Sequence, residues 1–457
     1  MQLRIDQGIM EVNLFEFDVN EKHLRWLKNN ILKYRNNKPT LDQLLKHTHL
    51  SFSAEQCSRV ATLDIVESDD SYTQQSQRYV PLENSSNGFV VPPLPDGLRQ
   101  EYVQLCNDMF SLYKEMTELK EGYKKKKKLQ IGDYVHGIPI EDGRYILPCS
   151  TKSNMLITMQ GSSISDFLEH IHSKGYGELD ELYQKIMLQL RKVSPYLGNR
   201  LEDIVKESSA RTNAVTSINE MLFEMVSERV SLLNKTTNGI IRSGLGASTS
   251  TASNTPSEIY ENMLKEKGLE TTMANLEELT QRVANYGHTS ILEHSRMTFG
   301  LRMSISTYHQ LVRHRLREIS KPELDSLPDD FGYVTPPTIK GSKFEPAYTG
   351  LMERARKLYQ SISLSNRKSA AYILPNGTEI PVILSANDKA IAHIISDRTC
   401  SRAQWEIRDI AQKILDIAKQ ENPTAYRKSG PRCVYGVCPE GALSCGKSAE
   451  MKERYGK

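Results

Sequence analysis

Hydrophobic positions recur along this chain with two periods. Between residues 201 and 233, Leu201, Ile204, Val205, Val215, Ile218, Leu222, Met225, Val226 and Val230 fall mostly three and four apart. That spacing puts side chains on one helix face, so the stretch predicts one long amphipathic helix or a helical pair. Farther on, Met297, Phe299, Leu301 and Met303 alternate as in a half-buried strand, and Ser306 to Arg317 then reads as helix. The segment 390–420, with Ile391, Ile394, Ile395, Trp405, Ile410, Ile414 and Leu415, is largely helical by the same rule. Thr236 to Pro256, rich in Ser, Thr, Asn and Gly, breaks the pattern and reads as a linker or a loop near a phosphate. Long helices beside short alternating strands predict an α+β fold with small antiparallel sheets.

Two short segments repeat in the same order. Arg144-Tyr145-Ile146-Leu147-Pro148 returns as Ala371-Tyr372-Ile373-Leu374-Pro375, and Lys46-His47-Thr48-His49-Leu50-Ser51 is echoed by Asn285-Tyr286-Gly287-His288-Thr289-Ser290. Echoes in order and at similar offsets predict two diverged copies of one domain. The expected division is an N-terminal copy over 1–200, a helical connector over 201–235 and a C-terminal copy over 236–457.

At 457 residues, with 38% hydrophobic and 25% charged positions, the chain can bury two ordinary cores. Its formal charge of +3 gives no reason to expect a polyanionic partner. Lys124 to Lys128, ahead of a turn-like stretch, reads as a solvated loop, a phosphate or nucleic-acid patch being the other reading. No apolar run reaches the roughly 20 residues of a membrane span, and the first residues do not read as a leader. A cytoplasmic protein is expected. Seven cysteines, three crowded near the C-terminus, fit reduced thiols and not a secreted disulfide framework. Cys400, Cys433, Cys438 and Cys445 are the set a metal would use, but Cys-x4-Cys-x6-Cys is looser than paired Cys-x2-Cys spacing, so no metal is assigned.

On the helix expected over 306–317, Gln310, Arg313 and His314 would share a face with Arg315 beside them. Alone, that is as well read as a solvated basic helix end. Its company changes the reading. Glu293-His294, His309 to Arg315, Arg398-Thr399-Cys400-Ser401-Arg402 to Arg408, and the tail from Gly430-Pro431-Arg432-Cys433 to Ser444-Cys445-Gly446-Lys447 closely resemble the flavin-dependent thymidylate synthases. The resemblance covers most of residues 283–447 and, more faintly, 40–170. In that family the Arg-His-Arg is followed, after seven intervening residues, by Ser-x-Arg-Tyr. Here that position is Glu323, and Leu324-Asp325-Ser326 supplies neither the Arg nor the Tyr. The first copy carries the missing half in Ser71-Tyr72-Thr73-Gln74-Gln75-Ser76-Gln77-Arg78-Tyr79 and has no Arg-His-Arg before it. The family's Arg before the Leu-Pro stretch is Arg144 in the first copy and Ala371 in the second. Its later Arg is matched by Arg398, while Phe167 to His172 has none.

The resemblance implies a synthase that methylates dUMP reductively to dTMP, with methylene-tetrahydrofolate or a related reduced pterin as carbon donor and FAD reduced by NADPH. Complementary losses imply one composite site shared by the two copies, and a homodimer that mimics the family's tetramer. Ser76, Gln77, Arg78, Arg144, Gln310, Arg313 and Arg398 would bind dUMP, guanidinium forks suiting phosphate oxygens. Arg398, a cation where charge develops on the pyrimidine, would be the catalytic residue. Side chains deliver no hydride, so the redox step belongs to the cofactor. Gln74, His288, Ser290, Glu293, Arg313, His314, Arg315, Asn387, Lys389 and His393 would hold the flavin. No Gly-x-Gly-x-x-Gly loop opens a helix, so no separate Rossmann domain is implied. Ser76 reads as a phosphate ligand and not a nucleophile, since no His and acid are clearly placed to activate it. The competing readings are a methylase of a related pyrimidine nucleotide, or a non-catalytic relative that binds flavin, nucleotide or nucleic acid.

Overall fold

The computed structural model describes residues 11–18, 45–46, 48–68, 71–82, 88–121, 129–193, 195–208, 215–250, 252–315 and 317–456. Lys124 to Lys128 lie outside the described residues. Four strands, β1 (Glu11–Asp18), β2 (His49–Ser58), β3 (Ser71–Gln74) and β4 (Lys152–Gln160), form a sheet of order β1-β2-β4-β3. Four more, β5 (Val230–Lys235), β6 (Arg296–Ser304), β7 (Arg317–Ser320) and β8 (Glu379–Asn387), form a second of order β5-β6-β8-β7. The same non-sequential order twice in one chain is the duplication in three dimensions. The fold is α+β, as the patterning predicts.

In β6 the alternating Met297, Phe299, Leu301 and Met303 are all buried. In β2 Leu50, Phe52 and Ala54 are buried in the same alternation until the register with β4 shifts between Ala54 and Cys57. Gln56, with φ of 61°, sits in that bulge, and its N–H donates to Asn154 Oδ1 at 2.9 Å. The bulge ends the strand just before the helix Arg59–Val66, whose N-cap Ser58 accepts from the Ala61 N–H.

Three elements differ from the sequence reading. The connector is a helical pair, Pro195–Ser208 and Val215–Met225, but Val230 belongs to β5, because the edge of the second sheet claims Val230–Lys235. Thr236 to Pro256 holds a helix, Gly239–Thr249, whose Ile241, Ser243, Gly244 and Ala247 are buried; small residues made a packed helix look like a linker. The helix expected over 306–317 is only Ile305–Leu311. Arg313 and His314 lie beyond its end in the turn leading to β7, so they share no helix face with Gln310.

By backbone contacts the chain falls into two compact units. One holds Met1–Ser217, Ser304–His309 and Glu323–Glu379, and the other Ile218–Met303, Gln310–Pro322 and Ile380–Lys457. The first unit therefore contains segments of both copies, and within it the repeated pentapeptides meet. Cys149 N–H donates to Leu374 O at 2.7 Å and Asn376 N–H to Leu147 O at 2.8 Å; Ser150 N–H donates to Tyr372 O at 2.9 Å and Gly377 N–H to Tyr145 O at 2.8 Å. Each bond has its mirror in the other copy, the reciprocity of an isologous two-fold contact made inside one chain. Gly377 is required there: a Cβ would lie 2.7 Å from Met352 Cε and 3.1 Å from the Tyr145 carbonyl.

Candidate active site

In the first unit, β3 ends at Gln74 and the chain turns through Ser76, Gln77 and Arg78. The Arg78 N–H donates to Ser76 Oγ at 3.2 Å, fixing the turn. Three arginines reach it. Arg78 grips Glu141 Oε2 through Nε at 3.2 Å and Nη2 at 2.9 Å. Arg59 Nη1 donates to the Gln77 side-chain oxygen at 3.2 Å. Arg144, 3% exposed, donates through Nε to the Glu141 carbonyl at 3.2 Å. Burial pulls its guanidinium below its ordinary value to about 10, and the neighbouring positive Arg78 adds to this. Gln77 Nε2 and Arg144 Nη2 are buried with no hydrogen-bond partner among the described residues. Buried donors of this kind are costly unless something accepts from them, and an anion is the ligand chemistry that would do so.

Gln74, buried, donates to Ser153 Oγ at 3.2 Å and takes a bond from His309 Nε2 on its carbonyl oxygen. Arg59, His309 and Glu141 were not among the expected site residues. A visible signal existed for Arg59, a charge opening the otherwise apolar run Val60-Ala61-Thr62-Leu63.

The second unit gathers the rest. Arg398, at the end of the helix Asp388–Arg398, donates through Nε to His314 Nε2 at 2.8 Å and through Nη2 to the Gln310 carbonyl at 2.7 Å. A guanidinium can only donate, so His314 Nε2 is the acceptor and the neutral ring carries its proton on Nδ1. Gln310 and His314 are buried; Arg313 and Arg315 are exposed. Lys389 pairs with Glu293 at 2.6 Å, and the Lys389 cation holds the Glu293 carboxyl below its ordinary range. His288, Ser290 and His393 are exposed on the same unit, and His393 lies 5.6 Å from the His314 ring. Asn387 is the N-cap of the Arg398 helix, its Oδ1 taking the Ala390 N–H at 2.9 Å.

Among the described residues, His314, His393 and Asp397 form the group whose metal-ligand atoms lie within 4.8 Å of one another. Arg398 donates into His314, and Arg432 pairs with Asp397 at 2.6 Å. Two guanidinium groups thus face the would-be ligands, which disfavours a cation. The four cysteines named above do not form such a group.

The counterparts of these residues have been put to another use. Val60 N–H bonds to Cys149 O as Ser306 N–H does to Asn376 O, so Asp64 and Glu67 stand where the second copy has Gln310 and Arg313. In the β3–β4 pair Ser71 faces Thr158 as Glu318 faces Ser385 in β7–β8, so Glu323 and Asp325 stand where the first copy has Ser76 and Arg78. All four acids lie in the first unit. Lys174 Nζ is 2.8 Å from Glu323 and 3.6 Å from both Asp64 and Glu67; Lys368 is 2.8 Å from Asp325. The equivalent locus is charge-inverted and closed on itself by two lysines.

A duplicated α+β frame with an arginine cluster in one copy and an Arg-His-Arg segment in the other defines a tandem protein of two diverged domains. The family described as thymidylate synthase complementing protein matches residues 17–196 and 232–424, and the chain belongs to that family. A flavin-dependent thymidylate synthase of Clostridium tetani is 38% identical over 192 residues, which is 37% of this chain and 77% of that protein. Those of Geobacter sulfurreducens and Thermococcus onnurineus are 34% and 36% identical, over 78% and 72% of their lengths but only 38% and 35% of this chain. Each such relative corresponds in length to about one copy. No described helix is long and apolar enough to cross a membrane.

Proposed function

We propose that this chain is a flavin-dependent thymidylate synthase converting dUMP to dTMP in the cytoplasm, with one composite site per chain. The observation that carries the reading is the pair of buried donors Arg144 Nη2 and Gln77 Nε2, neither of which has an acceptor among the described residues. A nucleotide phosphate carries close to two negative charges and would satisfy both, with Ser76 and Arg78 beside them. The locus in which the other copies of these elements meet supports sharing, since it brings the counterparts of Gln310 and Arg313 to the counterpart of Ser76 through Lys174.

Bound FAD, reduced by NADPH, supplies the reducing equivalents, and methylene-tetrahydrofolate the carbon. The donor set on the second copy suits such a group: Arg313 and Arg315 offer exposed guanidinium groups for a pyrophosphate, with His314, Lys389, His393, His288 and Ser290 nearby in the same unit and Gln74 contributed by the first copy. Arg398 is held by His314 and the Gln310 carbonyl, so its orientation is fixed before substrate arrives. A fixed cation at the polar edge of uracil stabilises the negative charge that develops as C5 becomes nucleophilic, without reorganisation. Gln310 orients the ring. Two chains assembled as a homodimer hold two such sites.

Tritium release from C5-tritiated dUMP tests the proposal. Arg78→Ala and Arg398→Ala, one in each copy, should each lower turnover by about 100-fold or more. A folded Arg78→Ala protein with full turnover ends the shared-site reading.

A further inference from the structure

We infer that Arg59 is a further member of the nucleotide-phosphate pocket: a positioning residue that aims the Gln77 amide and adds a buried cation. The inference rests on the proposed nucleotide site and deepens it. Arg59 opens the helix Arg59–Val66, all of whose residues are buried, and is itself 2% exposed. A cation at a helix N-terminus opposes the helix dipole, so this position does not serve the helix. Its Nη1 donates to Gln77 Oε1 at 3.2 Å, which engages the amide's acceptor end. That orientation is what leaves Gln77 Nε2, a donor, buried and without a partner among the described residues. Reversing the amide would set N–H groups against a guanidinium, which cannot accept, so Arg59 locks the amide with its donor end toward the pocket.

The second copy supplies an internal control. The matched bonds of Val60 and Ser306 place Ile305 where the first copy has Arg59, and Ile305 is buried. The copy that has exchanged Ser76, Arg78 and Arg144 for Glu323, Asp325 and Ala371 thus also has an apolar residue here. The arginine accompanies the phosphate-binding turn and is absent where the turn has been retired. The ligand it serves is a phosphate monoester dianion.

The test uses the full-length flavoprotein with Arg59→Met, Arg59→Lys and Arg144→Met, each checked for flavin content and melting temperature. With Arg59→Met, KM for dUMP should rise about tenfold or more while kcat stays within about twofold, since charge-assisted bonds to the phosphate are lost but the pyrimidine end is untouched. Binding of deoxyuridine, which lacks the phosphate, should not change, and a purely structural defect would weaken both ligands. Arg59→Lys keeps the charge but not the fork, and should raise KM by about threefold. A folded Arg59→Met with unaltered KM for dUMP overturns the inference; if that variant does not fold, an unaltered KM in Arg59→Lys does so. If Arg144→Met weakens dUMP binding while the Arg59 variants do not, only this inference fails. If Arg144→Met also leaves dUMP binding intact, the nucleotide site fails with it.

Discussion

Arg144→Met should make the protein more stable and useless at once. The buried guanidinium is pulled below its ordinary value to about 10, first by burial and further by Arg78, a shift worth about 3 kcal/mol against the charged form. Here the sign runs opposite to a cation that gains a partner. The folded value lies below the unfolded one, so the penalty is fully present below pH 10 and fades as pH rises above about 10. Methionine fills the stem, removes the charge and loses the bond from Nε to the Glu141 carbonyl, worth about 1 kcal/mol. The net gain is about 2 kcal/mol across pH 6–9, a rise in melting temperature of about 2 °C for a chain of this length. Thermal melts at pH 7 and 9, with and without dUMP, read both halves of the argument. Wild type should gain about 2.7 kcal/mol from dUMP at 100 times its Kd, and the variant nothing. An unliganded variant that melts below wild type at both pH values, or one that keeps the dUMP shift, refutes it.

Other outcomes follow from the same reasoning. Lys174→Met leaves Asp64, Glu67 and Glu323 without the lysine that joins them and should cost about 3–5 kcal/mol in urea unfolding; a change below about 1 kcal/mol would mean the inverted locus is not held by that lysine. Glu178 takes bonds from the Ser58 N–H at 2.6 Å, the Ser58 hydroxyl at 2.5 Å and the Tyr372 hydroxyl at 3.1 Å, yet burial raises its carboxyl above the ordinary 4.5. A raised acid gives stability that is present at low pH and lost as pH climbs through its folded value. Glu178→Gln should therefore gain on wild type as pH rises from 4 to 7, and a pH-independent gap between their urea midpoints would contradict this.

Much of the fold was legible because burial imposes periods on the sequence. The alternation of Met297 to Met303 marked β6, and the pentapeptide echo marked the duplication, since both copies must thread the same sheet order. Three places were not legible. The helix after β6 stops at Leu311 because the chain must turn back to pair β7 with β8, a demand that the spacing of Gln310, Arg313 and His314 does not carry. Gly239–Thr249 looked like a linker since small residues that let helices approach closely also dominate loops; Gly244 lies where a Cβ would meet the Leu276 carbonyl at 2.6 Å. Asn387 matches a flavin position by resemblance, but only the structure shows its carbonyl oxygen capping a helix.

By itself the sequence determined which motif each copy kept, because Ser-x-Arg-Tyr and Arg-His-Arg are local strings whose presence or loss can be read without coordinates. Tertiary structure alone decided what the residues around them are for. Whether Arg144 is a surface cation or a buried guanidinium short of an acceptor, whether Asp64 and Glu323 are solvated acids or partners of one lysine, and whether Arg59 is a helix-end charge or the holder of Gln77, all depend on burial and on neighbours far apart in the chain. Those are long-range quantities, and they set the free energy of a charge more strongly than its identity does.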